Sequence, residues 1–445
     1  MKRLIEIMDV NDGNRLDFMR KIRRKSDDHA EAAAKVVDEI IKDVRTRGDE
    51  ALFYYTEKFD KVKLDPSSVI MDKDEIAKVA ARLDTEQYAV IARAAERIER
   101  FHNLQKQKSW FETRENGEIL GQLVNPVESV GAYVPGGTQV LSSSLLMNVI
   151  PAKVAGVKNV AVCTPPDKNG EISPALCAAA KIAGAERIYK VGGAQAIAAL
   201  AYGTETVKKA DKVVGPGNIY VALAKKAVFG QVGIDSVAGP SEIAIIADEN
   251  ANPAYVAADL LSQAEHDVMA RAICITTSKK LADAIKTELE NQIKLLSRSA
   301  IAEASVRDNG IIAVVKDIDT ALCIANEIAP EHLELCIENP FAYLPFIKNA
   351  GAVFLGAYSP EPVGDYYAGP NHVLPTGESS RFFSPLSVED FVKKTSIISF
   401  SKAAFEQSAP DIIKFAEMEG LGAHAESIKI RLREEATQGF GGETK

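Results

Sequence analysis

Residues 130–166 read VGAYVPGGTQVLSSSLLMNVIPAKVAGVKNVAVCTPP. VGAYV is a short apolar run closed by Pro135, Gly136 and Gly137, which predicts a strand and a turn. SSSLLMNVIPAKVAGV, from Ser142, predicts a helix opened by a serine cap, with Pro151 ending or kinking it. NVAVCTPP is again a strand. The alternation continues through helix SPALCAAAKIAGA, with Pro174 at its start, strand RIYKVGG, helix AQAIAALAYG, strand DKVVGPGN and helix IYVALAKKAVFG. Strands that alternate with helices in this way build a parallel sheet covered on both faces.

A second alternation begins at Ser241. SEIAIIAD is a strand, NPAYVAADLLSQAEHD a helix, RAICITTS a strand, and a long helix then runs to Leu296. IIAVV, a helix through IANEIA, and AGAVFLGAY complete the set. The two α/β units share a rhythm that suggests an internal duplication, although no residue-level repeat is visible. Upstream, Val36, Val37, Ile40, Ile41 and Val44 form one helical stripe, a packing helix without visible chemistry. His29 and His102 fall in this helical leader and are expected in surface or packing roles. The closing QGFGGETK is expected to be disordered.

Composition narrows the function. Of 445 residues, 46% are hydrophobic and 26% charged, as in a globular protein with ample core. A net charge of -9 argues against nucleic acid and anionic membrane surfaces as partners. There is no 18-residue apolar run and no apolar leader after MKRLIEIMDV, so neither a membrane span nor a signal peptide is expected. Cys163, Cys177, Cys274, Cys323 and Cys336 are dispersed, with no CxxC, which reads as reduced thiols in a cytoplasmic protein.

Several stretches could carry chemistry. Gly136-Gly137, Gly192-Gly193 and Gly215-Pro216-Gly217-Asn218 each join a strand to a helix, where N–H groups and the helix dipole favour an anion. None is G-x-G-x-x-G, so tight turns needing positive φ explain them equally well. A ligand is expected at these carboxyl ends of the strands. Gln263 and His266 are three apart and share a helix face, while Glu265 points elsewhere. APEHLEL places Glu331 and His332 together behind a proline, a proton-handling pair if both reach one cleft. Asp365 and His372 lie in a Pro/Gly-rich loop, and Glu419 and His424 flank two glycines. Histidines and carboxylates scattered over separate elements suit a catalytic metal site, yet the spacing matches no standard signature.

Taken together, VGAYVPGG, VGGAQAIAALAYGTE, VGPGN, AGPSE, DLLSQAEH, APEHLEL, GDYYAGPNHVLPT and EGLGAH resemble the histidinol dehydrogenase family. They stand in family order from Val130 to His424. One loop departs mildly, with AGPNHVLPT where the family form is closer to SGTNHVLPT; Asn371 and His372 are retained. The resemblance implies oxidation of L-histidinol through the aldehyde to L-histidine, the end of histidine biosynthesis, with two NAD+ and one zinc ion per subunit. It implies Gln263, His266, Asp365 and His424 as zinc ligands. Ligand chemistry alone favours Glu265 over Gln263, because an amide oxygen is an unusual zinc ligand; the shared helix face points the other way. Glu331 and His332 match the acid/base pair, and Tyr133, Gln195 and Asn218 the NAD contacts. Ser241, His372 and Glu419 match substrate contacts, joined by His332 and the four zinc ligands. The alternative is a dehydrogenase of the same family acting on another small alcohol.

The expected architecture is α/β, with two Rossmann-like parallel-sheet domains and small helical terminal segments. The expected boundaries are a helical segment 1–29, a catalytic and zinc domain from 30–132 and 241–385, an NAD-binding domain 133–240 and a tail 386–445. The apolar faces of FVKKTSIISFSKAAFE and IIKFAEME need burial, and the tail is not expected to add strands. The resemblance implies a homodimer in which the tail docks on the partner and His424 completes the partner's zinc site.

Overall fold

The computed structural model describes residues 4–22, 28–136, 141–237 and 239–438. The His29 side chain and the stretch from 439 onward, expected to be disordered, lie outside the described residues. Strands β1 to β15 are, in chain order, Glu6–Asp9, Ile70–Met71, Trp110–Thr113, Ile119–Pro126, Ser129–Tyr133, Asn159–Cys163, Arg187–Tyr189, Lys212–Val214, Gly233–Ile234, Glu242–Ala247, Arg271–Thr276, Ile311–Val314, His332–Cys336, Ala352–Leu355 and Val392–Ser399.

The larger of two compact units comprises Met1–Lys106 and Pro126–Phe391 and holds two six-stranded sheets. One runs β2-β7-β6-β5-β8-β9, the other β1-β12-β11-β10-β13-β14. Numbered along the chain within each sheet, both orders are 1-4-3-2-5-6. Every neighbouring pair is parallel except β2 with β7. The protein therefore has the mixed α/β fold with two Rossmann-like sheets, and the shared order matches the rhythm that suggested a duplication. EIAIIA and RAICIT are buried along their whole length, as strands covered on both faces must be. Helix starts follow local chemistry. Ser173 accepts the Leu176 N–H ahead of Pro174, and Asn252 accepts the Ala254 N–H ahead of Pro253. Helix Ser142–Ala155 runs through Pro151 and ends at Gly156, whose φ of 96° suits glycine.

The sheets divide the chain differently from the expected boundaries. Val37, Ile40, Ile41 and Val44 pack with Ile197, Leu200 and Val221, and Ile76 and Ile98 with Leu145 and Leu176. The leader helices thus cover the 129–234 sheet rather than joining residues 241–385, because their apolar stripes match the small-residue helices of that sheet. Residues 1–29 are not purely helical either. Glu6–Asp9 lies parallel to β12 at the edge of the other sheet, with Phe18 and Met19 buried against Ile246 and Ile275.

The smaller unit comprises Gln107–Asn125 and Val392–Lys445. Its sheet has the order β15-β4-β3, and helices Lys402–Met418 and Gly422–Gln438 follow. The tail does form a strand, contrary to expectation. VKKTSIIS is rich in residues with branched Cβ atoms, and its partners come from a hairpin far upstream in the chain.

Candidate active site

Helix Ile318–Ile328 ends at Ala329, which takes φ 51°, a left-handed conformation uncommon for alanine. Pro330 then turns the chain, and β13 opens at His332. The Ala352 N–H donates to the Glu331 carbonyl at 2.8 Å, and a Cβ on Gly351 would lie 2.5 Å from that oxygen. Glu331 and His332 are therefore held by a strained turn and a close backbone contact, as functional residues often are. Both are buried, at 6% and 3% exposure.

One neighbour fixes both side chains. The Glu242 N–H donates to Glu331 Oε2 at 2.9 Å, and His332 Nδ1 lies 3.1 Å from the Glu242 carbonyl. A carbonyl only accepts, so Nδ1 carries the hydrogen and Nε2 keeps its lone pair. Nε2 is buried and meets no protein partner. Burial pulls the His332 pKa down to about 3, so the ring is neutral. Burial likewise raises Glu331 well above an ordinary carboxyl. The two residues lie 3.8 Å apart, Nδ1 to Oε2.

A second group gathers at the end of helix Pro253–Ala264. Gln263 is fully buried, and its Nε2 meets His266 Nδ1 at 3.2 Å. Its Oε1 is buried with no protein partner, a costly arrangement unless something else binds it. His266, Glu361 and Asp365 bring ligand atoms within 4.8 Å of one another. Burial raises Asp365 to about 6 and Glu361 to about 8, with Asp365 adding to the rise at Glu361. An orphaned amide oxygen, an imidazole and a carboxylate suit a divalent cation. Glu265 is not part of this group. Glu361 was missed from sequence; its only mark there is its place four residues before Asp365. The Ser262 hydroxyl donates to Glu361 Oε2 at 3.0 Å, and the Glu361 N–H to Glu334 Oε1 at 2.7 Å. Asp259, Glu334 and Cys336 form a further cluster, with ligand atoms also within 4.8 Å.

His372 stands beside this group. Its Nδ1 donates to the Asp365 carbonyl at 3.0 Å, and Ser144 Oγ lies 3.3 Å from its Nε2. Asn371 fastens the loop from below, donating to the Met147 carbonyl at 2.7 Å and lying 3.3 Å from His102 Nε2. His102 is thus a buried packing residue whose ring braces the loop that carries His372. Ser241 directly precedes β10, and its carbonyl accepts the Arg271 N–H at 3.0 Å.

Tyr133 ends β5, and Gln195 lies at the start of the helix after β7, both at carboxyl ends of the other sheet. The Tyr133 hydroxyl accepts the Gly193 N–H at 3.1 Å. Both amide atoms of Gln195 are buried without protein partners. A Cβ on Gly215 would fall 2.1 Å from the Tyr133 carbonyl, so this turn requires glycine. Asn218 is exposed and caps helix Ile219–Val228, accepting from the Tyr220 and Val221 N–H groups. Glu419 and His424 belong to the smaller unit, both exposed, one after helix Lys402–Met418 and the other early in Gly422–Gln438.

Two Rossmann-like sheets, a buried imidazole with a bare Nε2 and a cluster of groups able to ligate a cation belong to an α/β protein of the enzyme class. The profile of the histidinol dehydrogenase family matches residues 22–432. The chain is 51% identical to histidinol dehydrogenase of Geobacter sulfurreducens, over 96% of this chain and all of the relative. It is 52% identical to that of Bacillus subtilis, over 96% of this chain and 99% of the relative. A crystal structure of histidinol dehydrogenase from Elizabethkingia anophelis superposes with a TM-score of 0.91 at 38% identity, covering 98% of this chain and 100% of that one. The chain belongs to the histidinol dehydrogenase family, and it is an oxidoreductase. No helix among the described residues is long and apolar enough to cross a membrane.

Proposed function

We propose that the protein oxidises L-histidinol to L-histidine in two steps, with zinc and NAD+ as cofactors. The observation that carries this reading is the bare, buried Nε2 of His332, held in its tautomer by the Glu242 carbonyl. Such a nitrogen is a base that needs no prior deprotonation at neutral pH. It takes the proton of the alcohol, which turns the carbinol C–H into a hydride donor. Glu331 then takes a proton from the water that adds to the aldehyde. Its raised pKa opposes that role; a cation held by the neighbouring cluster would favour the charged carboxylate and offset the rise.

Gln263, His266 and Asp365 would hold zinc, with His424 supplied by the partner of a homodimer. The orphaned Oε1 of Gln263 supports this set. Tyr133, Gln195 and Asn218 would line the NAD site, where the unpartnered Gln195 amide is suited to another amide. Ser241, His372 and Glu419 would meet the substrate. Bound zinc supplies coordination positions for the substrate's imidazole and amine, and NAD supplies the hydride acceptor.

Single-turnover kinetics with histidinol and with histidinal test the assignment. His332→Asn should slow the alcohol step by roughly 10²- to 10⁴-fold, the usual share of a general base. Glu331→Gln should slow the aldehyde step. Normal rates for both variants would refute the division of roles.

A further inference from the structure

We propose, on the reading of Glu331 and His332 as the acid/base pair, that Glu242 is their positioning residue and that Arg271 holds Glu242 in place. Glu242 sits at the amino end of β10, one residue before the ladder to β13 begins at Ile243 and His332. Its peptide groups are thus available to side chains. The N–H holds the Glu331 carboxyl and the carbonyl holds the His332 imidazole. Backbone groups move only with their strand, so the place of Glu242 sets the aim of both side chains.

That place is fixed through the Glu242 carboxylate, in a residue only 1% exposed. Oε1 accepts the Gly377 N–H at 2.8 Å. Oε2 faces Arg271 Nη1 at 3.6 Å. Arg271 opens β11 directly opposite Glu242 in the ladder. A buried carboxylate is costly without such partners, so the side chain ties β10 to β11 on one side and to the 377 loop on the other. In this proposal Glu242 and Arg271 act only through Glu331 and His332.

The zinc- and NAD-loaded enzyme tests the role. Arg271→Met should lower kcat on histidinol roughly 10- to 100-fold, the usual effect of an outer-shell residue. KM for histidinol and for NAD, and zinc content, should stay within about twofold of wild type if only aim is lost. Arg271→Lys keeps the charge and should restore most of kcat. Glu242→Gln keeps the acceptor for Gly377 and carries the test should Arg271→Met not fold; it should show the same loss confined to kcat. Wild-type kcat in either folded variant overturns the proposal, as does a loss shared equally by KM and zinc content. His332→Asn, assayed in parallel, separates the two levels. If it is impaired while the Arg271 and Glu242 variants are not, only the positioning role falls; if it turns over normally, the acid/base reading falls and this role with it.

Discussion

Replacing Gln263 by leucine should change stability in opposite directions with and without zinc. Without metal, wild type carries a buried amide oxygen that no protein group satisfies. Leaving such an acceptor unpaired costs about 1–3 kcal/mol. Leucine removes that cost and also loses the 3.2 Å contact from Nε2 to His266, a bond worth about 0.5–1.5 kcal/mol. Gln263→Leu should therefore be more stable than wild type by about 1 kcal/mol in chelator. Free zinc at about a thousand times the dissociation constant stabilises wild type by about 4 kcal/mol. If losing one ligand weakens binding about a hundredfold, the variant gains only about 1.4 kcal/mol at the same zinc concentration. The order then reverses, with wild type ahead by somewhat under about 2 kcal/mol. Thermal unfolding in chelator and in buffered zinc reads both orders in one experiment. If both proteins gain equally from zinc, Gln263 is not a ligand; if the variant is less stable in chelator too, the orphaned oxygen is not a cost.

Lys225 is buried, donates to the Gly215 carbonyl at 2.8 Å and pairs with Asp235, which accepts the Gly215 N–H at 2.8 Å; Lys225→Met should lower the melting temperature and raise KM for NAD more than KM for histidinol, and equal effects on both would contradict a role for this turn in the cofactor site. His102 is buried, and burial lowers its pKa, so the stability it contributes is present above its unfolded pKa of about 6.5 and declines as pH falls below that value. The stability difference between wild type and His102→Gln should accordingly shrink between about pH 7 and pH 5, and a constant difference refutes the buried neutral ring. If the protein is a homodimer with shared sites, as proposed, subunit exchange between inactive His424→Asn and Asp365→Asn proteins should restore up to about half of wild-type activity per heterodimer, since one of two sites would then be intact; exchange without recovery places the site within one chain.

Much of the scaffold was legible because strands and helices announce themselves by local period. VGAYV, NVAVC, SEIAIIA and RAICIT all became strands, and the shared face of Gln263 and His266 became a real contact. What stayed hidden depends on partners remote in sequence. Glu361 joins the cation cluster with its N–H held by Glu334 of β13 and its carboxylate by Ser262, both remote from it in sequence. His102 carries nothing in its own helix to mark it, and its meaning lies in Asn371, 269 residues away. VKKTSIIS could not be read as a strand while its hairpin partner lay far upstream. The leader helices were assigned to the wrong sheet because an apolar stripe says that a helix is covered without saying by what.

The two sheets have the same strand order, yet their candidate residues lie at opposite ends. Tyr133 ends its strand and Gly192 and Gly215 follow theirs, at the carboxyl ends where ligands of open α/β sheets are expected. Glu331, His332, Glu242 and Arg271 lie at the amino ends of strands in the other sheet. Chemistry accounts for the difference. A cofactor held by backbone N–H groups needs the glycine turns and helix starts that follow a strand. The pair Glu331 and His332 is held by the peptide of Glu242, which pairs with β11 but lies one residue before the ladder to β13 begins, so its N–H and carbonyl are turned to those side chains. The helix after β5 ties the two regions together. Ser144 reaches His372, and the Met147 carbonyl receives Asn371, so the element that leaves the glycine-turn end of one sheet also steadies the loop beside the cation cluster of the other. On the proposed function, one reaction would draw on unlike ends of like sheets, which a rule drawn from a single sheet does not anticipate.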